Sequence, residues 1–275
     1  MIDQVVIPIA GLGTRLGPLA RVVPKALMPL VDGDLRIRPV LHFIITEALE
    51  GGCRNVCLVV NPAHRELVAA YLAAQPVQAD RLELIAAQPK GFGYAVAAAR
   101  AFTADRPFVL LLGDHVRPPG GANAVAGLTR AFDRAAGAVA AVGVREVGPD
   151  ELKSMGVVAG CPVEGDLLRC TDFVEKPSLA EARRRLATPG LAADRFLAHA
   201  GLYAFGPELW PCLDEAAART PPGREIELAS AQALVLERFP GRYYLVRTSG
   251  RVFDTGSPAG YLAALRAMAP PWAGV

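Results

Sequence analysis

Lysine is scarce in this 275-residue chain. Of the 29 basic residues, 25 are arginines and four are lysines, namely Lys25, Lys90, Lys153 and Lys176. The 27 acidic residues almost balance them, so the formal net charge is only +2. Such a small surplus gives no reason to expect nucleic acid or an anionic membrane surface as a partner. In a chain this rich in arginine, each remaining lysine is a candidate for a specific role.

Long hydrophobic runs and paired cysteine motifs are also missing. Apolar segments such as Phe108–Leu112 are far shorter than the roughly 20 residues that a membrane-spanning helix needs. The amino terminus carries an early Asp3 and no basic region, which predicts a first strand rather than a signal peptide. The five cysteines form no CxxC motif and have no histidine at ligand spacing. This pattern disfavours a disulfide framework or structural zinc and favours a reducing, cytoplasmic location.

Hydrophobic residues make up 52% of the chain and charged residues 20%, which indicates a globular fold. In the first half, strand-like segments alternate with alanine-rich helical patterns at about 40–51, 63–74 and 93–104. The predicted strands are Val5–Ile9, Val56–Val60, Leu82–Ile85 and Phe108–Leu112. This alternation predicts βαβ crossovers and a Rossmann-like, mostly parallel sheet flanked by helices. The second half is more mixed, with strands at about 138–145, 156–159, 168–175, 198–205 and 243–248, and helices near 179–187, 207–217, 225–238 and 258–267.

The strongest local signal is Ala10–Leu16, with the sequence Ala-Gly-Leu-Gly-Thr-Arg-Leu, directly after the first predicted strand. A glycine-rich loop lets backbone N–H groups approach phosphate oxygens closely, because no Cβ blocks them. Arg15 could then bind terminal phosphates as a planar donor and Lys25 as a point charge. The alternatives are a glycine turn with two solvated cations, or a dinucleotide fingerprint. The second needs a glycine where Leu16 stands.

This loop and the following Pro24–Leu30 (Pro-Lys-Ala-Leu-Met-Pro-Leu) resemble the signature of the sugar-1-phosphate nucleotidylyltransferases. The Ala-Gly-Leu-Gly-Thr-Arg form is most similar to bacterial UTP–glucose-1-phosphate uridylyltransferases. Further motifs match in the same order over nearly the whole chain: Lys90–Gly93, Leu112–Asp114, Val174–Pro177, Gly223–Leu228 and Phe253–Gly256. The resemblance implies the nucleotide-diphospho-sugar transferase type of α/β fold, with a smaller sugar-side β element. We interpret residues 1–275 as one domain, with a nucleotide-binding half at about 1–135 and a sugar-binding half at about 136–275.

The resemblance also implies an activity. A nucleotidyl group would pass from a nucleoside triphosphate, first of all UTP, to glucose 1-phosphate or a related sugar 1-phosphate. The products would be a nucleotide sugar and pyrophosphate, and Mg²⁺ would be the cofactor. The alternatives are an enzyme that uses dTTP or another triphosphate, a non-catalytic nucleotide-sugar sensor, and a nicotinamide-dependent oxidoreductase. A homo-oligomer is left open.

The resemblance assigns roles residue by residue. The triphosphate and base would be bound by Ala10, Gly11, Gly13, Thr14, Gln88 and Gly91. The catalytic residues would be Arg15 on the departing pyrophosphate, Lys25, Asp114 and Lys176. The sugar would lie against Gly156, Glu175 and Lys176. Because Lys25 and Lys176 fall on phosphate contacts and Lys90 lies beside the base-reading turn, we predict that a compact ammonium is retained where a guanidinium would be too bulky.

Asp114 and Asp254 are the implied metal ligands. Asp114 follows the apolar strand Phe108–Leu112, at the carboxyl end where ligands bind in open α/β sheets. In isolation each aspartate is equally well a turn residue. Together they suit Mg²⁺, a hard cation held by one or two carboxylates with phosphate oxygens and water.

Glu175 and Lys176 lie at the end of another predicted strand. A surface ion pair is the alternative for any Glu-Lys dipeptide. Adjacent strand residues point to opposite faces, however, so these two side chains are expected not to pair. The resemblance implies that Glu175 accepts hydrogen bonds from sugar hydroxyls and that Lys176 contacts the sugar-side phosphate. Gly156 alone predicts only a bulge or turn.

The chain departs from the uridylyltransferase pattern in several places. Only two residues separate Gln88 from Gly91, and Tyr94 stands where histidine is common. Segment 32–39 is altered in length, and Arg224 and Ala229-Ser230 replace acidic and Thr-Asp residues. These departures leave the base and the sugar open. The four histidines, His42, His64, His115 and His199, show no spacing typical of a metal cluster, and a structural or solvent role is expected for His115.

Overall fold

The structure, a computed structural model, describes residues 2–269. Thirteen strands and nine α-helices follow one another along these residues. The strands are β1 Gln4–Ile9, β2 Pro29–Val31, β3 Ile37–Pro39, β4 Asn55–Val60, β5 Arg81–Ala86, β6 Phe108–Leu111, β7 His115–Val116, β8 Ala140–Val147, β9 Gly156–Glu164, β10 Leu167–Glu175, β11 Phe196–Phe205, β12 Tyr243–Arg247 and β13 Phe253–Asp254. The helices are α1 Val40–Glu50, α2 Arg65–Ala74, α3 Phe92–Ala98, α4 Arg100–Thr103, α5 Ala124–Arg134, α6 Leu179–Arg185, α7 Leu209–Arg219, α8 Leu228–Arg238 and α9 Pro258–Met268.

A nine-stranded sheet runs through both halves of the chain in the order β5-β4-β1-β6-β11-β8-β12-β10-β9. The strands β5, β4, β1 and β6 are parallel neighbours, as are β8 and β12. Two strands, β10 and β11, run opposite to the other seven of this sheet. The predicted mostly parallel α/β sheet is therefore confirmed.

The central strands are buried on both faces, and their alternating side chains enter two separate cores. In β1, Val5 and Ile7 pack into the core that holds α1, α5 and α9, whereas Val6 packs into the core on the opposite side. That opposite core contains residues of α3, α7 and α8. A third, smaller cluster joins α6 to β9 and β11. Helices thus cover both faces of the sheet.

Several predicted elements differ from the observed ones. The predicted helix 93–104 is interrupted at Ala99, where φ is −86° and ψ is 0°, and it becomes α3 and α4. The predicted helix 225–238 begins only at Leu228. Helix α5 was not predicted, although Asn123 caps it by accepting a hydrogen bond from the Ala126 N–H. The short pairs β2–β3 and β7–β13 were also missed.

The structure can be compared with the expectations about disulfides and membrane-spanning helices. All five cysteines are free, and burial raises the pKa of Cys53, Cys57 and Cys170 to about 12. None of the helices in residues 2–269 is long and apolar enough to cross a membrane.

Two features of this fold position the site. Strands β1 and β6 are parallel, so the glycine-rich loop after β1 and Asp114 after β6 emerge at the same edge of the sheet. The two-residue strands β7 and β13 pair antiparallel, which sets Asp254 directly opposite His115. Residues about 140 positions apart in the chain therefore meet at one point.

Candidate active site

A cavity of about 630 Å³ opens at this edge of the sheet. Its wall combines the loop after β1, the end of β6, and residues of β9, β10 and β11. Twelve of the residues singled out from the sequence line it: Ala10, Gly11, Gly13, Thr14, Arg15, Lys25, Gly91, Asp114, Gly156, Glu175, Lys176 and Asp254. Gln88 is exposed and does not line this cavity. Its proposed base-reading role has no support from this geometry.

The glycine-rich loop turns sharply and packs beneath Lys25. Gly13 has φ +63°, a left-handed conformation that glycine adopts without the strain of a side chain, and it begins the 3-10 helix Thr14–Arg21. A Cβ on Gly11 would be 3.8 Å from the Lys25 ammonium nitrogen. The loop backbone and the ammonium thus share one wall of the cavity. Such a combination of N–H groups and a cation is suited to phosphate oxygens.

Asp114 is the buried centre of the site. Its carboxylate pairs with the Lys25 ammonium through Oδ2, and its Oδ1 is 3.0 Å from Nδ1 of His115. The Asp114 carbonyl accepts hydrogen bonds from the N–H and the hydroxyl of Thr255, each at 2.8 Å. Burial favours the neutral acid, but the Lys25 ammonium and the His115 hydrogen bond outweigh it and hold the pKa of Asp114 well below its usual value.

Asp254 completes an acidic cluster with Asp114. It accepts a hydrogen bond from Arg15 at 3.2 Å and another from the Gly256 N–H at 2.8 Å. Ligand atoms of Asp114, His115 and Asp254 lie within 4.8 Å of one another. Two carboxylates at this separation are a donor set that a hard divalent cation uses, so these residues could hold Mg²⁺.

Gly256, the second residue after Asp254, lies where a side chain would not fit. A Cβ on Gly256 would lie 2.6 Å from Oδ2 of Asp114, 2.8 Å from Nη2 of Arg15 and 2.9 Å from Oδ1 of Asp254. Glycine at this position lets the backbone pass between the two carboxylates and the guanidinium.

The prediction that the side chains of Glu175 and Lys176 do not pair is wrong. The Lys176 ammonium is 3.5 Å from a Glu175 oxygen, so the two side chains do pair. Strand β10 ends at Glu175, and Lys176 has φ +52°, so the alternation of a regular strand does not extend to it. Burial and the neighbouring Glu227 raise the pKa of Glu175, despite the opposing effect of Lys176. Both side chains still line the cavity.

The family of this chain follows from comparison with known proteins. The nucleotidyl transferase family model matches residues 4–269. The chain belongs to this family. As a nucleotidyl transferase it is similar to the UTP–glucose-1-phosphate uridylyltransferase of Bacillus subtilis, at 28% identity over 95% of this chain and 89% of the relative. The enzyme of that name from Pseudomonas aeruginosa is 26% identical, over 96% and 95% of the two chains.

Solved structures agree with this nucleotidyl transferase assignment. A UDP-glucose pyrophosphorylase complexed with UDP-glucose matches with a TM-score of 0.79 and 25% identity, over 97% of this chain and 98% of that one. A UTP-bound UGPase from Acinetobacter baumannii matches with a TM-score of 0.74 and 26% identity, over 97% and 93%. The fold is therefore that of the nucleotide-diphospho-sugar transferases.

Sequence reasoning missed several cavity residues of this nucleotidyl transferase. His115, for which a structural or solvent role was expected, lines the cavity and contacts Asp114. His199 and Tyr203 of β11 and Arg145 of β8 also line it. No simple alternation marks these residues of β11, because the strand is irregular between His199 and Tyr203 and Gly201 has φ +77°.

A methyl group at position 156 tests the prediction that the sugar of the substrate lies against Gly156. In Gly156→Ala, the added Cβ would lie 2.8 Å from Phe173, 2.9 Å from His199 and 3.0 Å from Glu175. We expect the KM for the sugar phosphate to rise about tenfold, because the crowded Glu175 must move. The KM for the nucleotide should not change. Steady-state kinetics check this, with Gly127→Ala as control, where an added Cβ meets no atom within 4 Å. An unchanged sugar KM would contradict the assignment.

Proposed function

We propose that this nucleotidyl transferase joins a nucleoside triphosphate to a sugar 1-phosphate, with UTP and glucose 1-phosphate as the first pair. One observation carries the proposal. A single cavity is lined by the glycine loop with Arg15 and Lys25, by Glu175 and Lys176, and by Asp114, which pairs with Lys25. The choice of UTP and glucose 1-phosphate is supported by the names of the relatives and by the UTP and UDP-glucose bound to the similar structures.

The reaction needs no side-chain nucleophile. A phosphate oxygen of the sugar 1-phosphate attacks the α-phosphorus, a new P–O bond forms, and the bond to the β-phosphate breaks in line, so that pyrophosphate leaves with its electron pair. Catalysis is then positioning and charge neutralisation. The loop N–H groups and Arg15 bind the departing phosphates, Lys25 neutralises the reacting group, and Lys176 orients the incoming phosphate. Glu175 accepts hydrogen bonds from the sugar.

Asp114 and Asp254 fit a Mg²⁺ ion, which we include in the proposal. When bound, the ion would neutralise phosphate charge. The donor set supports this, because the two carboxylates and the His115 nitrogen come within 4.8 Å of one another. Lys25 already occupies one Asp114 oxygen, so the ammonium and the cation would share this carboxylate.

Removing one carboxylate tests the metal site without measuring turnover. In Asp254→Asn, we expect the affinity for Mg²⁺ in the presence of nucleotide to fall at least about tenfold, because a charged oxygen ligand becomes a neutral one. Isothermal calorimetry, or the spin-resonance signal of Mn²⁺, measures it. The matched control is Asp105→Asn, at an exposed left-handed position that asparagine also adopts. Equal metal affinity in both variants would remove Asp254 from the site.

The activity itself is tested by pyrophosphate release across a matrix of triphosphates and sugar 1-phosphates with Mg²⁺. We expect the highest kcat/KM for UTP with glucose 1-phosphate. A higher value for dTTP would select the alternative triphosphate. Binding of nucleotide sugars without pyrophosphate release would favour a sensor instead of an enzyme. A spectral response to NAD(H) in place of turnover would favour the oxidoreductase.

The proposal includes a cytoplasmic location. The free state of all five cysteines supports a reducing compartment. Homo-oligomerisation stays a prediction, which light scattering can test.

A further inference from the structure

His199 carries hydrogen-bonding capacity that the protein does not use. Its Nε2 is buried and has no hydrogen-bond partner in residues 2–269. Among the buried side-chain nitrogens without a hydrogen-bond partner in residues 2–269, only Nε2 of His199 belongs to a residue that lines the cavity. Nε2 is the inner end of the ring, and the other ring nitrogen, Nδ1, lies beside Gly156 in the cavity wall.

The imidazole is held in a defined orientation by aromatic neighbours. It stacks on Phe173 with 5.1 Å between the ring centroids and an angle of 11°, and it meets Tyr203 edge-on at 5.5 Å. Three residues of β11, His199, Gly201 and Tyr203, line the cavity, and the strand is bulged between the first and the last of them. The ring is therefore positioned before any ligand arrives.

Two polar groups converge at the sugar-side glycine. A Cβ on Gly156 would be 2.9 Å from Nδ1 of His199 and 3.0 Å from Oε2 of Glu175. The imidazole and the carboxylate thus reach the same small volume from different strands, β11 and β10. A ligand group in contact with Glu175 above Gly156 comes within reach of His199.

The charge state of the ring selects the kind of ligand group. Burial lowers the pKa of His199 to about 3, so the imidazole is neutral at neutral pH and offers one donor and one acceptor. A neutral imidazole beside a carboxylate suits a hydroxyl, which both donates and accepts. A carboxylate on the ligand would instead meet Glu175 and Glu227, which also line the cavity.

We propose that His199 is a specificity-determining residue of the acceptor subsite, whose Nδ1 hydrogen-bonds a hydroxyl of a neutral sugar 1-phosphate. This inference rests on the proposed function and names one more residue in the same cavity. Phe173 and Tyr203 hold the ring in place, and Glu175 shares the sugar with it.

The test is His199→Phe, which keeps an aromatic ring on Phe173 but removes both nitrogens. We expect kcat/KM for the sugar 1-phosphate to fall about tenfold, with the KM for the triphosphate unchanged. The second measurement uses a panel of sugar 1-phosphates that each lack one hydroxyl. With one of these analogues, the kcat/KM of the wild type should fall by the same factor of about ten. The kcat/KM of His199→Phe should be the same for that analogue as for the complete sugar 1-phosphate. His64→Phe is the matched control, since His64 is also buried with an unpartnered ring nitrogen but does not line the cavity.

The outcomes separate this inference from the proposed function. If the wild type is active and His199→Phe equals it with every analogue, His199 is only structural and the inference is overturned. If the wild type releases no pyrophosphate with any pair, the proposed function fails, and calorimetric binding of the sugar 1-phosphates tests His199 alone. If the variant does not fold, the side-chain ¹⁵N shifts of His199 in the wild type decide. They should move when the sugar 1-phosphate is added, and their constancy contradicts the contact.

Discussion

Replacing Asp114 with asparagine is expected to lower kcat by about a hundredfold or more. The side chain keeps its size but loses the charge that pairs with Lys25 and, in our proposal, binds the metal ion. The Thr255 hydrogen bonds to the Asp114 carbonyl remain, so the turn should persist. We expect the free energy of unfolding to fall by only about 1–3 kcal/mol, because the Lys25 ammonium loses its partner.

Pyrophosphate release and thermal denaturation together check this expectation. The matched control is Asp194→Asn. Asp194 is also an aspartate paired with a cation, Arg183, and its left-handed φ of +56° suits asparagine. It does not line the cavity. Wild-type kcat in Asp114→Asn would remove the catalytic role of this carboxylate, and a collapse of the melting transition would make its role structural.

We expect that no other cationic side chain can replace Lys25 without a large loss of activity. In Lys25→Met we expect a loss of about a hundredfold in kcat, because the reacting phosphates lose a positive charge beside them. Lys25→Arg should recover less than about a tenth of the wild-type kcat, although the charge is restored. The reason is space, because the Lys25 side chain lies against the loop backbone at Gly11 and Gly13, and only 19% of it is exposed. A planar guanidinium needs a wider approach.

Lys153→Arg is the control for this pair of variants. Lys153 is exposed, does not line the cavity and has no assigned role, so its replacement should leave kcat at the wild-type value. Full activity in Lys25→Arg would end the explanation of why lysine persists here in an arginine-rich chain. The same comparison at Lys176 extends the test to the second lysine that lines the cavity.

The parallel half of the fold could be predicted because its signals are local. Strands β1, β4, β5 and β6 were each located to within about two residues from their apolar runs. The helices between them followed from composition. Helix α5 and the pair β7–β13 were missed for different reasons. The first has a recognisable Asn123 cap that was overlooked, whereas two-residue strands exist only through their partners.

The residues of the candidate site also divide into those that a local sequence signal indicated and those that it did not. The loop Ala10–Leu16 could be predicted to bind a ligand from its position after a strand, whereas Asp114 at its strand end was equally well a turn residue without the family resemblance. Asp254 had no local signal, and only the family resemblance pointed to it. The pairing of Glu175 with Lys176 was predicted wrongly, because the backbone leaves the strand conformation at Lys176. His115 and His199 were not connected to the cavity by any spacing between histidines.

The sequence by itself determined the fold class, the glycine-rich loop after β1 and the family, because each of these depends on short segments that can be recognised without their distant neighbours. Only the tertiary structure decided which polar side chains share one cavity. Strand pairing brought Asp254 to His115, and the pairing of β11 with β9 brought His199 to Gly156 and Glu175. Such contacts join residues far apart in the chain, and their geometry depends on register and backbone conformation that no local pattern encodes.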